Sequence, residues 1–292
     1  MLRDKFIQYL LVERRYAQHT LTAYKSDLEQ FFIFINQTYG ELDIQVISHQ
    51  HIRSWVVDLV NSNHSNRSVN RKLSTLKSFY KFLLKENVLS ENPMEKVTAP
   101  KMSKRLPVFV EERQIEELLN ASFFDDSFEG FRDRLMLEIL YSCGLRRSEL
   151  NNLTWQQVDF HLKQIKVLGK GGKERIIPID PSLIVRLVQF QEQQKTLEIH
   201  SPFLFTTRVG ELLNAKSIYS IVKHYLSRIP GLEKKSPHVL RHTFATHLSN
   251  HGADLNAIKE LLGHSNLAAT QVYTHNSIEK LKKTFKQAHP RS

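Results

Sequence analysis

Apolar residues in the first hundred positions recur at three- and four-residue intervals. Leu21, Tyr24, Leu28, Phe31, Phe32 and Ile35 follow this spacing, and Ile52, Trp55, Val56, Leu59 and Val60 repeat it. A third run places Leu73, Leu76, Tyr80, Leu83 and Leu84 on one face. This is the period of an α-helix with one buried stripe. Thr20 is placed to cap the first run, and Asn61-Ser62-Asn63 to end the second. No useful period-2 alternation occurs before residue 100. The pattern predicts a small helical bundle.

From Val88 to Val110 the periodicity fails. Pro93, Pro100 and Pro107 punctuate the stretch, and Lys101, Lys104 and Arg105 make it basic. Proline fixes its own φ and drives the preceding residue towards extended backbone. A loop of this length is uncommon within one compact domain. The reading is therefore a linker over residues 89–105, between a first domain of residues 1–88 and a second of residues 106–292.

Helical patterns resume at Glu112–Ala121 and Phe128–Ser142. Then comes the one clear β signal, Gln164–Leu168 and Arg175–Ile179 on either side of Gly169-Lys170-Gly171-Gly172-Lys173. A glycine-rich turn between two such runs predicts a hairpin. Helices follow again after Pro181. Ser236-Pro237 reads as a start, with proline at the first helical position. Asp254 is placed to cap a further helix and Gly263 to end it.

Composition narrows the function. The formal net charge of +11 is not needed for folding and favours a polyanionic partner, nucleic acid ahead of an acidic membrane surface. Cys143 is the only cysteine, so neither an intramolecular disulfide nor a cysteine-based zinc site is available. A single thiol fits a reducing compartment. No uncharged segment approaches membrane-spanning length, so the expectation is a cytoplasmic protein without membrane insertion.

The candidate chemistry lies in four short segments: Gly144-Leu145-Arg146-Arg147-Ser148-Glu149-Leu150, Ser236-Pro237-His238-Val239-Leu240-Arg241-His242, Leu261-Leu262-Gly263-His264 and Val272-Tyr273-Thr274-His275. His238 and Arg241, three apart on a predicted helix, project from nearly one face. A guanidinium fork matches two phosphate oxygens, and two arginines can stabilise a phosphoryl-transfer transition state. Arg146 is aimed by the glycine turn before it, although a salt bridge to Glu149 or Glu174 would also account for it. Tyr273 can attack phosphorus and hold the strand as an ester, storing the bond energy for rejoining. His264 can donate to phosphate or position the attacking group. Lys170 can protonate a leaving oxygen if neighbouring arginines lower its pKa. No P-loop is present, so the set implies chemistry without ATP, cofactor or metal.

Together these segments resemble the tyrosine recombinase (phage integrase) family, most closely its bacterial Xer branch, over essentially the whole chain. The resemblance implies a mainly α, two-domain fold. A four-helix, SAM-like core-binding domain would clamp DNA opposite a mixed α/β catalytic domain that is mostly helical with a small antiparallel sheet. It implies the catalytic roles of Arg146, Lys170, His238, Arg241, His264 and Tyr273, the last as nucleophile in a 3′-phosphotyrosyl intermediate. It also implies a cyclic tetramer on a short inverted-repeat site in double-stranded DNA. The partners implied are a paralogous recombinase and a DNA translocase of the division septum. Resolution of chromosome dimers at a dif-like site during cell division is the expected role, with a plasmid or mobile-element integrase as the alternative.

The surface has its own signal. Between Ser65 and Lys85 stand six basic residues and no acidic one: Arg67, Arg71, Lys72, Lys77, Lys81 and Lys85. A single-signed helix edge can release phosphate counterions, so these residues are the expected DNA-binding set. Two rivals remain at this point. His238 with His242, or His247 with His251, has the i,i+4 spacing of a zinc pair. A basic architectural protein that binds DNA without cutting it is the other. After Tyr273, Ile278, Leu281 and Phe285 form an apolar stripe, with Lys280, Lys282, Lys283 and Lys286 on the other faces. Periodicity allows this stripe to pack in cis; the resemblance points to docking on a neighbouring subunit.

Overall fold

A computed structural model describes residues 2–102, 108–169, 174–263 and 284–290. The chain divides into two compact units, Met1–Arg105 and Leu106–Ser292. The first unit contains α1 (Leu2–Val12), α2 (Gln18–Tyr39), α3 (His49–Asn61) and α4 (Asn66–Lys85). Their apolar stripes meet in one core, where Phe31, Trp55, Phe79 and Tyr80 are almost wholly buried. Phe31 and Trp55 meet edge to face at 5.0 Å between centroids, a favoured aromatic geometry. Thr20 does not cap α2. The helix starts earlier, at Gln18, with Ala17 in extended backbone at the cap position.

The expected linker is partly fastened to this bundle. Asn92 caps a 3₁₀ turn over Pro93–Lys96, and Met94 is buried against the helices. Arg53 donates to the Lys96 carbonyl at 2.6 Å, Asn70 to Pro100 at 3.0 Å and Asn66 to Lys101 at 2.9 Å. Prolines remove the periodicity, but side chains of α3 and α4 satisfy the irregular backbone. Lys104, Arg105 and Pro107 lie outside the described residues.

The second unit runs through α5 (Glu112–Leu118), α6 (Phe128–Ser142), α7 (Arg147–Asn151), β1 (Val158–Asp159), β2 (Gln164–Leu168) and β3 (Glu174–Pro178). It continues with α8 (Pro181–Thr196), α9 (Ala215–Leu226), α10 (Pro237–Asn250) and α11 (Leu255–Leu262). The strands form an antiparallel sheet in the order β1-β2-β3, with Ile165 opposite Ile177 and Val167 opposite Arg175. Asp254 accepts from the backbone N–H groups of Asn256 and Ala257, which starts α11. Gly263 ends it with φ of +63°, a left-handed conformation that glycine adopts without strain. Pro237 begins α10, but the Ser236 side chain makes no capping bond.

The C-terminal stripe is seen in part. Phe285 and Ala288 are buried in the core of their own unit, and the His289 ring stacks on Phe285 at 4.7 Å. Within this single chain Phe285 thus takes the cis seat that periodicity allows. Ile278 and Leu281 lie outside the described residues, as do Lys280, Lys282 and Lys283. Among the described residues, no helix is long and apolar enough to cross a membrane.

Candidate active site

Arg146 is set by the turn that precedes α7. Gly144 has φ of +57°, and a Cβ built there would lie 2.5 Å from the Phe244 ring. Only glycine tolerates both conditions. Arg146 then occupies the cap position of α7 in extended backbone, φ −72° and ψ 151°. Its backbone N–H donates to Glu149 Oε2 at 2.7 Å, and its Nη1 to Glu149 Oε1 at 2.6 Å. The Glu149 salt bridge that competed as an explanation of Arg146 therefore exists. Glu174 instead pairs with Lys166.

Arg241 comes from α10, which packs across α6. It is buried, donating through Nη1 to the Gly144 carbonyl at 2.6 Å and through Nη2 to Leu262 at 2.5 Å. His238, one turn earlier, is exposed.

The end of α11 ties these parts together. Three successive carbonyls, Leu261, Leu262 and Gly263, accept from three different arginines: Arg175, Arg241 and Arg146. A helix C-terminus leaves carbonyls without intrahelical partners and carries partial negative charge, so cations belong there. On its other side the cluster is held by Glu149, which accepts from Arg175 at 2.8 Å on each oxygen and stands 3.9 Å from Arg241. Three guanidinium charges against one carboxylate leave the cluster at +2. Arg175 is buried beyond reach of any ligand, whereas the Arg146 side chain is 29% exposed and that of Arg241 10%. Among the described residues, Arg146 and Arg241 each direct two of five guanidinium N–H groups to protein acceptors. The arrangement can receive a phosphate.

The titration pattern agrees. Burial would raise the Glu149 carboxyl, but hydrogen bonds and charge from Arg175 and then Arg146 hold it below the ordinary carboxylate range. Burial, followed by the charges of Arg146 and Arg175, lowers Arg241 to about 10, which leaves it ionised at neutral pH. Partial desolvation and the positive charges of Arg241, Arg147 and Arg146 lower His238, so its imidazole is neutral in the unliganded site.

Of the six expected catalytic residues, the structure brings Arg146, Arg241 and His238 together. Lys170, His264 and Tyr273 lie outside the described residues. Arg175 is the residue that sequence reasoning missed, and Glu149 appeared there only as a salt-bridge partner. A signal for Arg175 was present: it shares a strand face with Ile177 and Ile179, so its charge points inward.

The expected DNA-binding set requires one correction. Lys72 is 3% exposed, its Nζ held by Asp27 and Gln30 inside the bundle, and it cannot lie on a DNA surface. It falls between Val69 and Thr75 on the inward side of α4. Arg67, Arg71, Lys77, Lys81 and Lys85 are exposed, with Arg71 paired to Asp27 and Lys85 to Glu13.

The pair His247 and His251, at the end of α10, is also accounted for. His247 Nε2 lies 2.9 Å from the Val110 carbonyl, which can only accept, so Nε2 carries the proton. Its Nδ1 then accepts from the Tyr141 hydroxyl at 2.9 Å. Both ring nitrogens are committed, and the His247–His251 pair is not free to ligate a metal.

Comparison with known proteins adds sequence and fold. The model of the phage integrase family matches residues 108–280, and that of the phage integrase N-terminal SAM-like domain matches residues 4–87. Tyrosine recombinase XerC of Bacillus subtilis is 37% identical over 293 residues, covering 98% of this chain and 95% of its own. The XerC of Staphylococcus aureus is 37% identical over 294 residues, covering 100% and 97%. In fold, the Tn1549 transposon integrase in complex with circular intermediate DNA aligns with a TM-score of 0.72 at 21% identity, covering 96% of this chain and 98% of that one. XerH bound to a palindromic difH substrate aligns with a TM-score of 0.72 at 20% identity, covering 96% and 83%.

Proposed function

Because the chain belongs to the phage integrase family, as a tyrosine recombinase of the Xer branch, we propose that its arginine cluster receives the scissile phosphate of a DNA site. The enzyme is a site-specific recombinase that cuts and rejoins DNA. Arg146 and Arg241 neutralise the phosphate, and their fixed bonds to Gly144, Leu262 and Gly263 mean that they need little reorganisation as charge develops. His238 is neutral before substrate arrives and can hydrogen-bond the phosphate. The Tyr273 hydroxyl attacks phosphorus and releases its proton to water; the P–O5′ bond breaks as the 3′-phosphotyrosyl bond forms. Lys170 gives the departing 5′ oxygen its proton, and His264 supports the same phosphate. A second strand's 5′ hydroxyl reverses the step. Each step exchanges one phosphodiester for another, so no external energy source is required.

The observation that carries this reading is the convergence of Arg146 and Arg241 on one partly open, doubly positive cluster. It favours cleavage over mere DNA binding, because holding a duplex does not need guanidinium groups built into a helix end. Likeness to XerC along the whole chain supports resolution of chromosome dimers over a mobile-element role. A short inverted-repeat site, a cyclic tetramer with a paralogous subunit, contact with a septal DNA translocase and action in the cytoplasm belong to the same proposal. The first unit clamps the duplex through Arg67, Arg71, Lys77, Lys81 and Lys85.

The test is covalent capture. A nicked duplex bearing the half-site that the wild-type protein selects from random-sequence DNA should give a protein–DNA adduct in EDTA and without ATP. Tyr273→Phe should bind this duplex and give none. An adduct of undiminished yield from Tyr273→Phe removes the tyrosine from its role.

A further inference from the structure

We propose that Arg175 is a positioning residue of the recombination chemistry: it takes up the Glu149 carboxylate and pins the end of α11, so that Arg146 and Arg241 keep their charge and aim for the phosphate. The proposal rests on the recombinase reading above and deepens it.

Arg175 cannot act on DNA directly, since it is only 2% exposed. Its three bonds instead join elements far apart in sequence. Nη1 and Nη2 form a fork on the two Glu149 oxygens at 2.8 Å each, and Nε donates to the Leu261 carbonyl at 2.7 Å. Its Cδ lies 3.0 Å from where a Cβ on Gly263 would stand, so the backbone at the start of the His264 segment rests directly on this side chain. Through β3 the same residue belongs to the strand that follows Lys170 in the sequence.

The electrostatic consequence is specific. The charged groups facing Glu149 are Arg146 at the cap of α7, Arg175 on β3 and Arg241 on α10. Without Arg175, the carboxylate has only the two phosphate-binding arginines to turn to. It would then offset the charge that a phosphate needs and pull both side chains from their places. With Arg175 present, a guanidinium that no substrate can reach satisfies the carboxylate. Lysine cannot substitute, because a point charge cannot make the fork and the third bond together.

The test uses the full-length protein and the nicked, selected half-site duplex, with covalent adduct formation followed in single turnover. Arg175→Lys should slow adduct formation by about 10- to 100-fold, the range for loss of a supporting hydrogen-bond partner, while half-site affinity changes by less than about threefold. Arg175→Met adds a sharper readout. Its Glu149 loses the main source of its acidity, and protonation removes the charge that offsets Arg146 and Arg241, so the cleavage rate should gain an acid limb, rising as pH decreases. Arg175→Met combined with Glu149→Gln relieves the unpaired carboxylate, helps folding and should lack that limb. Arg175→Lys cleaving at the wild-type rate overturns the proposal. So does an activity loss matched by equal losses of half-site affinity and thermal stability, which marks a role in folding alone. A wild-type protein that forms no adduct overturns the recombinase reading itself, before Arg175 is reached.

Discussion

In each unit of this molecule a carboxylate is shared among several basic side chains, and the two clusters come out differently. Asp27, 1% exposed, accepts from Arg71, Lys72 and Thr75, all on α4. Glu149 faces Arg146, Arg175 and Arg241, which come from α7, β3 and α10. In the first cluster the carboxylate joins two helices and withdraws Lys72 from the surface. In the second, further acceptors at the end of α11 share the arginines, and two of the three cations remain open to a ligand. A buried carboxylate beside lysine and arginine is therefore not diagnostic by itself. What distinguishes a site from a structural clamp is whether the cations exceed the acceptors on the side a substrate can approach.

Removing each carboxylate should break the comparison most strongly. Asp27→Ala leaves Lys72 buried with Gln30 as its one remaining described acceptor, and breaking such a pair costs about 3–5 kcal/mol. Urea unfolding should show that loss in the first unit, while the cleavage rate on saturating DNA stays near wild type. Glu149→Ala should give the reverse. Its arginines retain the α11 carbonyls, so stability should fall less, but adduct formation should drop by about 10²-fold or more as the phosphate donors lose their geometry. Equal stability losses with equal rates would make both clusters structural.

Much of this architecture was legible in the sequence. The periodic stripes marked α2, α3 and α4; α6 occupies Phe128–Ser142 as read; and Asp254 and Gly263 bound α11 as their cap chemistry implies. Elements too short to show a period were not legible. Strand β1 has two residues and α7 five, and both depend on tertiary partners. The sequence pointed to Arg146 and Arg241 and offered Glu149 as a partner of Arg146, but not Arg175 or the end of α11 as their support. Glu149 and Arg175 are 26 positions apart and meet only when the hairpin folds over α7. Lys72 failed for the complementary reason: charge pattern counts basic residues without saying which of them turn inward.

The basic edge of α4 offers a smaller contrast. Lys77 and Lys81 are exposed, so each should release about one counterion on binding DNA. Lys77→Ala and Lys81→Ala should each reduce the slope of log affinity against log salt by about 1, measured on the selected half-site. Lys72→Met should leave the slope unchanged. A reduced slope for Lys72→Met would mean that the Asp27 cluster opens on DNA.

The smallest expected effect comes from His238 and separates the two clusters by proton count. In the free protein, partial burial and the charges of Arg241, Arg147 and Arg146 lower its pKa below the ordinary 6.5. A bound phosphate offsets those charges and accepts from the ring, which raises the pKa in the complex. The complex then holds more protons than the free protein in the window around and below 6.5, so affinity should rise as pH falls through it. Because His238 is exposed, its pKa should rise only modestly on binding, and the gain in affinity should stay below about tenfold. Half-site titrations at several pH values measure it directly. His238→Gln should abolish the dependence, since glutamine can still donate to phosphate but does not titrate. Lys77→Ala should leave it intact despite weaker binding. If affinity is flat with pH for the wild type, the imidazole does not meet the phosphate, and the cluster binds it through the arginines alone.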